Sequence, residues 1–259
     1  MKYYVVDAFA ERVFEGNPAG VCVMDEWLSD ELMQKIAMEN NLSETAFAVK
    51  QGEGYRLRWF TPGGEINLCG HATLATAYVI MNFIEKEANT IHFHTMSGQL
   101  TVQKRDDWYE LDFPAVPSES ISVTAQMKEA LGLSPIEAFL NRDLVFVVET
   151  EEEVKQANPD FSKLEKLPNG VGVAITARGS DCDFVSRGFY PKLKVNEDPV
   201  TGSLHCSLVP YWSEKLHKQE FVAKQLSSRG GTLYCKKEGN RVKIAGKAVL
   251  YSSADIFIE

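Results

Sequence analysis

Apolar and polar positions alternate in short blocks along most of this chain, and two stretches break that pattern by being apolar or small on every face. The first, His71 to Ile84, has no acidic or permanently charged residue, which predicts a helix buried all round. At 14 residues it is too short for the roughly 20 that span a bilayer, so it should run through the middle of a wrapped sheet. The second, Ser203 to Trp212, is similar but contains Pro210, which predicts a kink or an end to its regular part. Around them lie strand signals at Met1–Phe9, Val21–Met24, Leu42–Val49, Thr90–Thr95, Gln99–Lys104, Trp108–Phe113, Leu144–Glu149, Arg241–Ile244 and Val249–Ile258. Ser29 is placed to cap a helix with Asp30 and Glu31 in its first turn and Leu28 and Met33 as a hydrophobic staple. That helix should stop near Asn40-Asn41, which puts Glu44 at a helix-to-strand junction. Met127–Leu131 predicts a short helix, and Pro114-Ala115-Val116-Pro117-Ser118 a crossover between halves.

The pattern repeats. Glu65-Ile66-Asn67-Leu68-Cys69-Gly70-His71-Ala72-Thr73 has a counterpart in Glu197-Asp198-Pro199-Val200-Thr201-Gly202-Ser203-Leu204-His205, and in each a carboxylate stands five residues before a glycine that opens a helix. Upstream, Phe47–Gly52 aligns with Ala174–Gly179, and Tyr55–Pro62 with Asp183–Pro191. Both copies read strand, turn, strand, proline, acidic loop, glycine, helix. The order of the whole set predicts a duplicated α+β chain, each half a curved sheet around one helix. The halves are placed at 1–116, with about 250–259 returning to it, and at 117–249.

Composition narrows the function. A net charge of −9 with scattered Lys and Arg argues against nucleic acid, whose backbone requires clustered cations. The Glu149–Glu153 cluster is a solvated helix start or loop. No apolar run is long enough for a membrane span, acidic residues arrive too early for a signal peptide, and five cysteines without framework spacing suit reduced thiols in a cytoplasm. There is no P-loop and no dinucleotide-binding glycine turn. His92 and His94 without further ligands make a poor zinc site, so neither a metal nor a cofactor is expected.

The two glycine corners carry the chemistry. Unpaired N–H groups at a helix start face outward beside the positive end of the dipole, and glycine lets a ligand approach closely. Gly70-His71 and Gly202-Ser203 together should hold a small carboxylate. Glu44, His71, Asp198 and Ser203 gather at these openings, and carboxylates and imidazole are the usual carriers of protons to and from carbon. Asp198 either holds His71 in one tautomer or shares the return of the proton. A rival two-thiol mechanism fails on register: Cys69 precedes its glycine, but its counterpart is Thr201 and Cys206 falls inside the helix. The role of Cys69 stays open, and the other cysteines are assigned to the core.

These motifs resemble the PhzF-like family, named for phenazine biosynthesis and related in fold to diaminopimelate epimerase. The resemblance rests on Val6-Asp7-Ala8-Phe9, Gly16-Asn17-Pro18-Ala19-Gly20, Ser43-Glu44-Thr45-Ala46-Phe47, Cys69-Gly70-His71-Ala72-Thr73 and Glu197–Cys206, in that order over essentially the whole chain. It implies two similar domains, each a curved, mostly antiparallel sheet wrapped on a central helix, with the active site in the cleft between them. It implies a cofactor-independent isomerase acting on a small carboxylate-bearing metabolite, with Glu44 as acid/base, His71 and Asp198 in support, and Asn17, Gly70, Gly202 and Ser203 binding substrate. A homodimer is implied on the same ground. Cys69 departs from the phenazine enzyme and matches the epimerase, which keeps an amino-acid racemase or epimerase open, along with a non-catalytic binding module.

Overall fold

In a computed structural model the described residues are 1–258. The elements run β1 (Lys2–Ala8), β2 (Asn17–Met24), α1 (Asp30–Asn40), β3 (Glu44–Gln51), β4 (Gly54–Thr61), β5 (Gly64–Ile66) and α2 (Gly70–Val79), which a π-helical turn extends to Ile84. Next come β6 (Thr90–Thr95), β7 (Gly98–Arg105), β8 (Trp108–Pro114), β9 (Glu119–Ile121), α3 (Ala125–Leu131), β10 (Glu137–Leu140) and β11 (Leu144–Val147). The chain continues with α4 (Glu151–Gln156), α5 (Phe161–Glu165), β12 (Val173–Arg178), β13 (Phe184–Tyr190), β14 (Val195–Asp198) and α6 (Gly202–Leu216). It closes with β15 (Glu220–Gln225), β16 (Gly231–Glu238), β17 (Arg241–Gly246) and β18 (Ala248–Asp255). Two compact units form: residues 1–113 with 243–259, and residues 114–242.

In the first unit β18, β1, β2, β3, β4, β6, β7 and β8 pair in that order, with β5 added to β4. All pairs are antiparallel except β2–β3 and β4–β6. The second unit pairs β9, β10, β11, β12, β13, β15 and β16, with β14 on β13, and its parallel pairs are β11–β12 and β13–β15. The succession β2-α1-β3-β4-β5-α2-β6-β7 thus recurs as β11-α4-α5-β12-β13-β14-α6-β15-β16, with the same two parallel joins. The fold is duplicated α+β. Helix α2 packs on β1, β2, β3, β7 and β18, and all its residues but Gly70 and Tyr78 are buried, as the absence of charge predicts.

The carboxylates that precede each glycine corner have a structural task. Glu65 takes a bidentate contact from Arg58 on β4, at 2.6 and 2.7 Å. Glu197 takes the equivalent one from Arg187 on β13, at 2.7 and 3.0 Å. Each arginine also lies over the phenylalanine two residues on, Phe60 at 5.1 Å and Phe189 at 5.0 Å. The clamp ties the acidic segment to the preceding strand and so fixes where the helix begins. Arg187 also donates to the carbonyl of Ala157 at 2.7 Å, and a lysine cannot reproduce that fork. Arg187→Lys should lower stability by about 2 kcal/mol, visible as a lower urea midpoint with an unchanged slope.

Pro210 does not end α6, which continues to Leu216. The ring removes the N–H that would reach the carbonyl of Cys206, and that carbonyl instead accepts from Val116 N at 3.0 Å. An outside donor satisfies what the proline frees. No helix among the described residues is long and apolar enough to cross a membrane.

Candidate active site

Register brings the first set of residues together. Helix α1 ends at Asn41 in a left-handed conformation (φ 49°), which turns the chain into β3 with Glu44 as its first residue. Glu44 is the register partner of Ala19 in the parallel β2–β3 pair. Side chains of the same parity share a face, so Asn17 projects on the side of the sheet that Glu44 faces. Helix α2 packs against β2 and β3, and its first turn places His71 against both.

The imidazole is held on both ring nitrogens. Nδ1 lies 3.2 Å from Asn17 Nδ2 and 3.4 Å from Cys69 Sγ. Nε2 lies 3.1 Å from Glu44 Oε2, an ion-pair distance, although the carboxylate oxygen sits off the line of a hydrogen bond. The His71 side chain is 6% exposed and that of Glu44 15%, so the pair is nearly dry with the carboxylate nearer the solvent. Burial pulls the imidazole down, but the Cys69 thiol and the Glu44 carboxylate more than reverse it and hold His71 well above its ordinary value. Burial, then the Glu44 charge, pushes the Cys69 thiol up to about 11. The thiol is therefore protonated at neutral pH, and the Glu44 carboxylate is one of the groups that raise the imidazole.

The helix openings differ from their neighbours. Helices α1, α3, α4 and α5 each have a first-turn N–H taken by a side-chain oxygen, from Ser29, Thr124, Thr150 and Asp160 respectively. Neither α2, which opens after Cys69, nor α6, which opens after Thr201, has such a cap. Their first N–H groups are the ones left for an anion. At α2 that opening adjoins the Glu44–His71 pair.

In the second unit, Asp198 Oδ2 accepts from Thr201 Oγ1 at 2.5 Å. Gln225 braces the same corner, accepting from Thr201 N at 2.9 Å and donating to the Asp198 carbonyl at 2.8 Å. Ser203 Oγ accepts from Arg142 at 3.3 Å. Arg142 and Gln225 are absent from the residues read from sequence: one lies in the Asn141–Asp143 turn and the other at the end of β15, neither with a motif around it. His205 belongs to the core, its Nδ1 2.9 Å from the Thr201 carbonyl and its ring stacked on Phe184. The contacts that hold His71 come from Asn17, Cys69 and Glu44 of its own unit. Cys22, Cys206 and Cys235 are buried and Cys182 is half-buried.

A model of a family described as phenazine biosynthesis-like protein matches residues 6–254. An "uncharacterized isomerase" of Pseudomonas aeruginosa is 50% identical over 257 residues, covering 99% of this chain and 98% of that protein. The crystal structure of a phenazine biosynthesis protein of the PhzF family from Enterococcus faecalis superposes with a TM-score of 0.98 at 52% identity, covering 99% of each chain. A probable proline racemase from Agrobacterium radiobacter shares the fold at 10% identity, with a TM-score of 0.67 over 100% of this chain and 93% of that one.

Proposed function

This chain belongs to the phenazine biosynthesis-like protein family, and on that premise we propose that it is an isomerase that moves a proton on a small carboxylate-bearing metabolite without a cofactor. The observation that carries the reading is the Glu44–His71 pair, 3.1 Å apart and almost dry, beside a helix start that no side chain caps. Glu44 takes the proton from carbon and returns it. The imidazolium of His71 stabilises the negative charge that develops meanwhile, in a low-dielectric setting where that attraction is strong. The N–H groups at Gly70 hold the substrate carboxylate, and Asn17, its amide turned so that the oxygen accepts from the protonated Nδ1, keeps the ring in place. Asp198, Gly202 and Ser203 enter the reading through the repeat alone, as the equivalent corner of the second unit.

The experiment is a panel of small carboxylates incubated with the protein in heavy water and followed by NMR. Deuterium should enter one carbon-bound position of at least one compound. Absence of exchange across the panel would reject the isomerase in favour of a binding module. A racemase or epimerase using the thiol is the second reading, favoured by the 3.4 Å approach of Cys69 Sγ to His71 Nδ1. The protonated state of that thiol weighs against it, since the thiolate is the reactive form. Cys69→Ser should therefore reduce exchange by less than about tenfold, whereas loss of a true base costs roughly 10²–10⁴. A loss in that larger range would move the assignment to the thiol.

A further inference from the structure

Asn17 holds the imidazole from the first position of β2, and residues 9–16, which deliver it there from β1, carry a strained backbone. Phe9 (φ 59°), Phe14 (φ 75°) and Gly16 (φ 66°) are all left-handed, a region that phenylalanine occupies only where its surroundings enforce it. At Gly16 a Cβ would stand 2.1 Å from the Ala8 carbonyl oxygen, so only glycine fits that turn. At Phe14 the enforcing contact comes from a buried side chain: Asp7, 2% exposed, accepts from Phe14 N on its Oδ2 at 2.8 Å. We propose that Asp7 is a positioning residue of the site, and that by gripping Phe14 it sets Asn17 against Nδ1 of His71. The placement of the ring follows from the geometry; the effect on proton exchange rests on the isomerase reading above.

Register shows how the grip reaches the ring. In the antiparallel β1–β2 pair Ala8 lies opposite Asn17, and Asp7 opposite Pro18. Successive residues alternate between the faces of a sheet, so Ala8 and Asn17 share the face on which His71 sits. Asp7 stands on the other face with Tyr3, which packs with Met33 of α1. It therefore acts from behind the sheet, through the short run of chain from Phe14 to Asn17. Glu15 adds a brace inside the loop, its Oε2 accepting from Glu11 N and Arg12 N at 3.3 Å each, but that brace is exposed. Without Asp7, Phe14 N loses its acceptor. Its φ then relaxes toward ordinary negative values, and the start of β2 that carries Asn17 shifts with it.

The His71 ring reports the outcome by nitrogen NMR. In the unaltered protein Nδ1–H donates to the Asn17 oxygen, and its exchange with water should be slow. Asp7→Ala should speed that exchange on the order of tenfold, as loss of a hydrogen bond does, and move the Nδ1 signal. Asp7→Asn, whose side-chain oxygen accepts the same Phe14 N–H, should restore both. Asn17→Ala should give the same change as Asp7→Ala, and the double variant no more than either alone. Asp160→Ala, which removes the cap of α5, should lower stability and leave the ring signal in place. An unmoved ring in Asp7→Ala, an additive double variant, no restoration in Asp7→Asn, or the same shift in Asp160→Ala overturns the proposal. If Asp7→Ala does not fold, hydrogen exchange at the Phe14 amide of the unaltered protein decides: protection above that of an open loop supports the grip, and free exchange overturns it. None of these readings needs a substrate, so an empty carboxylate panel leaves them intact. With an exchanging substrate in hand, Asp7→Ala should cut deuterium incorporation roughly 10–10²-fold and Asp7→Asn should stay near the parent. Full incorporation in Asp7→Ala overturns the effect on exchange alone.

Discussion

Replacing Glu44 by glutamine should abolish most proton exchange, by about 10³-fold within the roughly 10²–10⁴ that a positioned acid or base contributes, while leaving carboxylate binding nearly unchanged. The two outcomes separate because the groups are separate. The amide fills the same space as the carboxylate but cannot take a proton, whereas the uncapped N–H groups at the start of α2 belong to the backbone. A second consequence makes the test specific. Burial lowers His71, and Cys69 and then Glu44 raise it, so removing the Glu44 charge should shift the imidazole titration downward. Deuterium incorporation, ligand calorimetry and the NMR titration of His71 read the three effects in one protein. Full exchange in Glu44→Gln would end the assignment, whatever the imidazole does.

Much of this was legible in the chain, and the reasons are physical. The charge-free stretch His71–Ile84 is buried through Met81 except for Tyr78, as its composition predicts, whereas Phe83 and Ile84 at its π-helical end are exposed. The repeat was readable because it preserves turn chemistry, glycine and proline at fixed places, which the backbone demands locally. What the repeat could not disclose was the task of Glu65 and Glu197. Their arginines, Arg58 and Arg187, lie seven and ten residues back on a neighbouring strand, and only the β4–β5 and β13–β14 pairings bring them together. Pro210 does not end its helix for a related reason: the carbonyl that it frees accepts from Val116, 94 residues earlier, and no local rule sees that donor. The neighbours of His71 divide the same way. Cys69 is two residues away and readable, whereas Asn17 and Glu44 meet the ring through a parallel strand register that sequence does not state.

Acid should reveal a second histidine that the reaction does not use. His205 is fully buried, its Nδ1 at 2.9 Å from the Thr201 carbonyl and its Nε2 without a partner. Burial, only partly offset by that carbonyl, lowers it from 6.5 to about 4. Between those values the unfolded chain binds a proton that the native state refuses, so stability rises with pH across the window. The contribution is whole above about pH 6.5 and is lost as the pH falls through about 4. At about 1.4 kcal/mol per unit the full loss comes to roughly 3 kcal/mol. His71, raised in the folded state, works in the opposite sense: its contribution is present below 6.5 and fades as the pH rises through its folded value. The two histidines therefore act on opposite sides of neutrality. In His205→Asn, whose amide can still donate toward Thr201, the baseline stability drops but the acid-side slope should flatten by that same 3 kcal/mol between about pH 7.5 and 4. Urea unfolding at a series of pH values measures the slope, and comparison with the parent cancels every other titration. An NMR titration of the unaltered protein checks it independently, with the His205 ring staying neutral to about pH 5; a ring that protonates near 6.5 would remove the effect at its source.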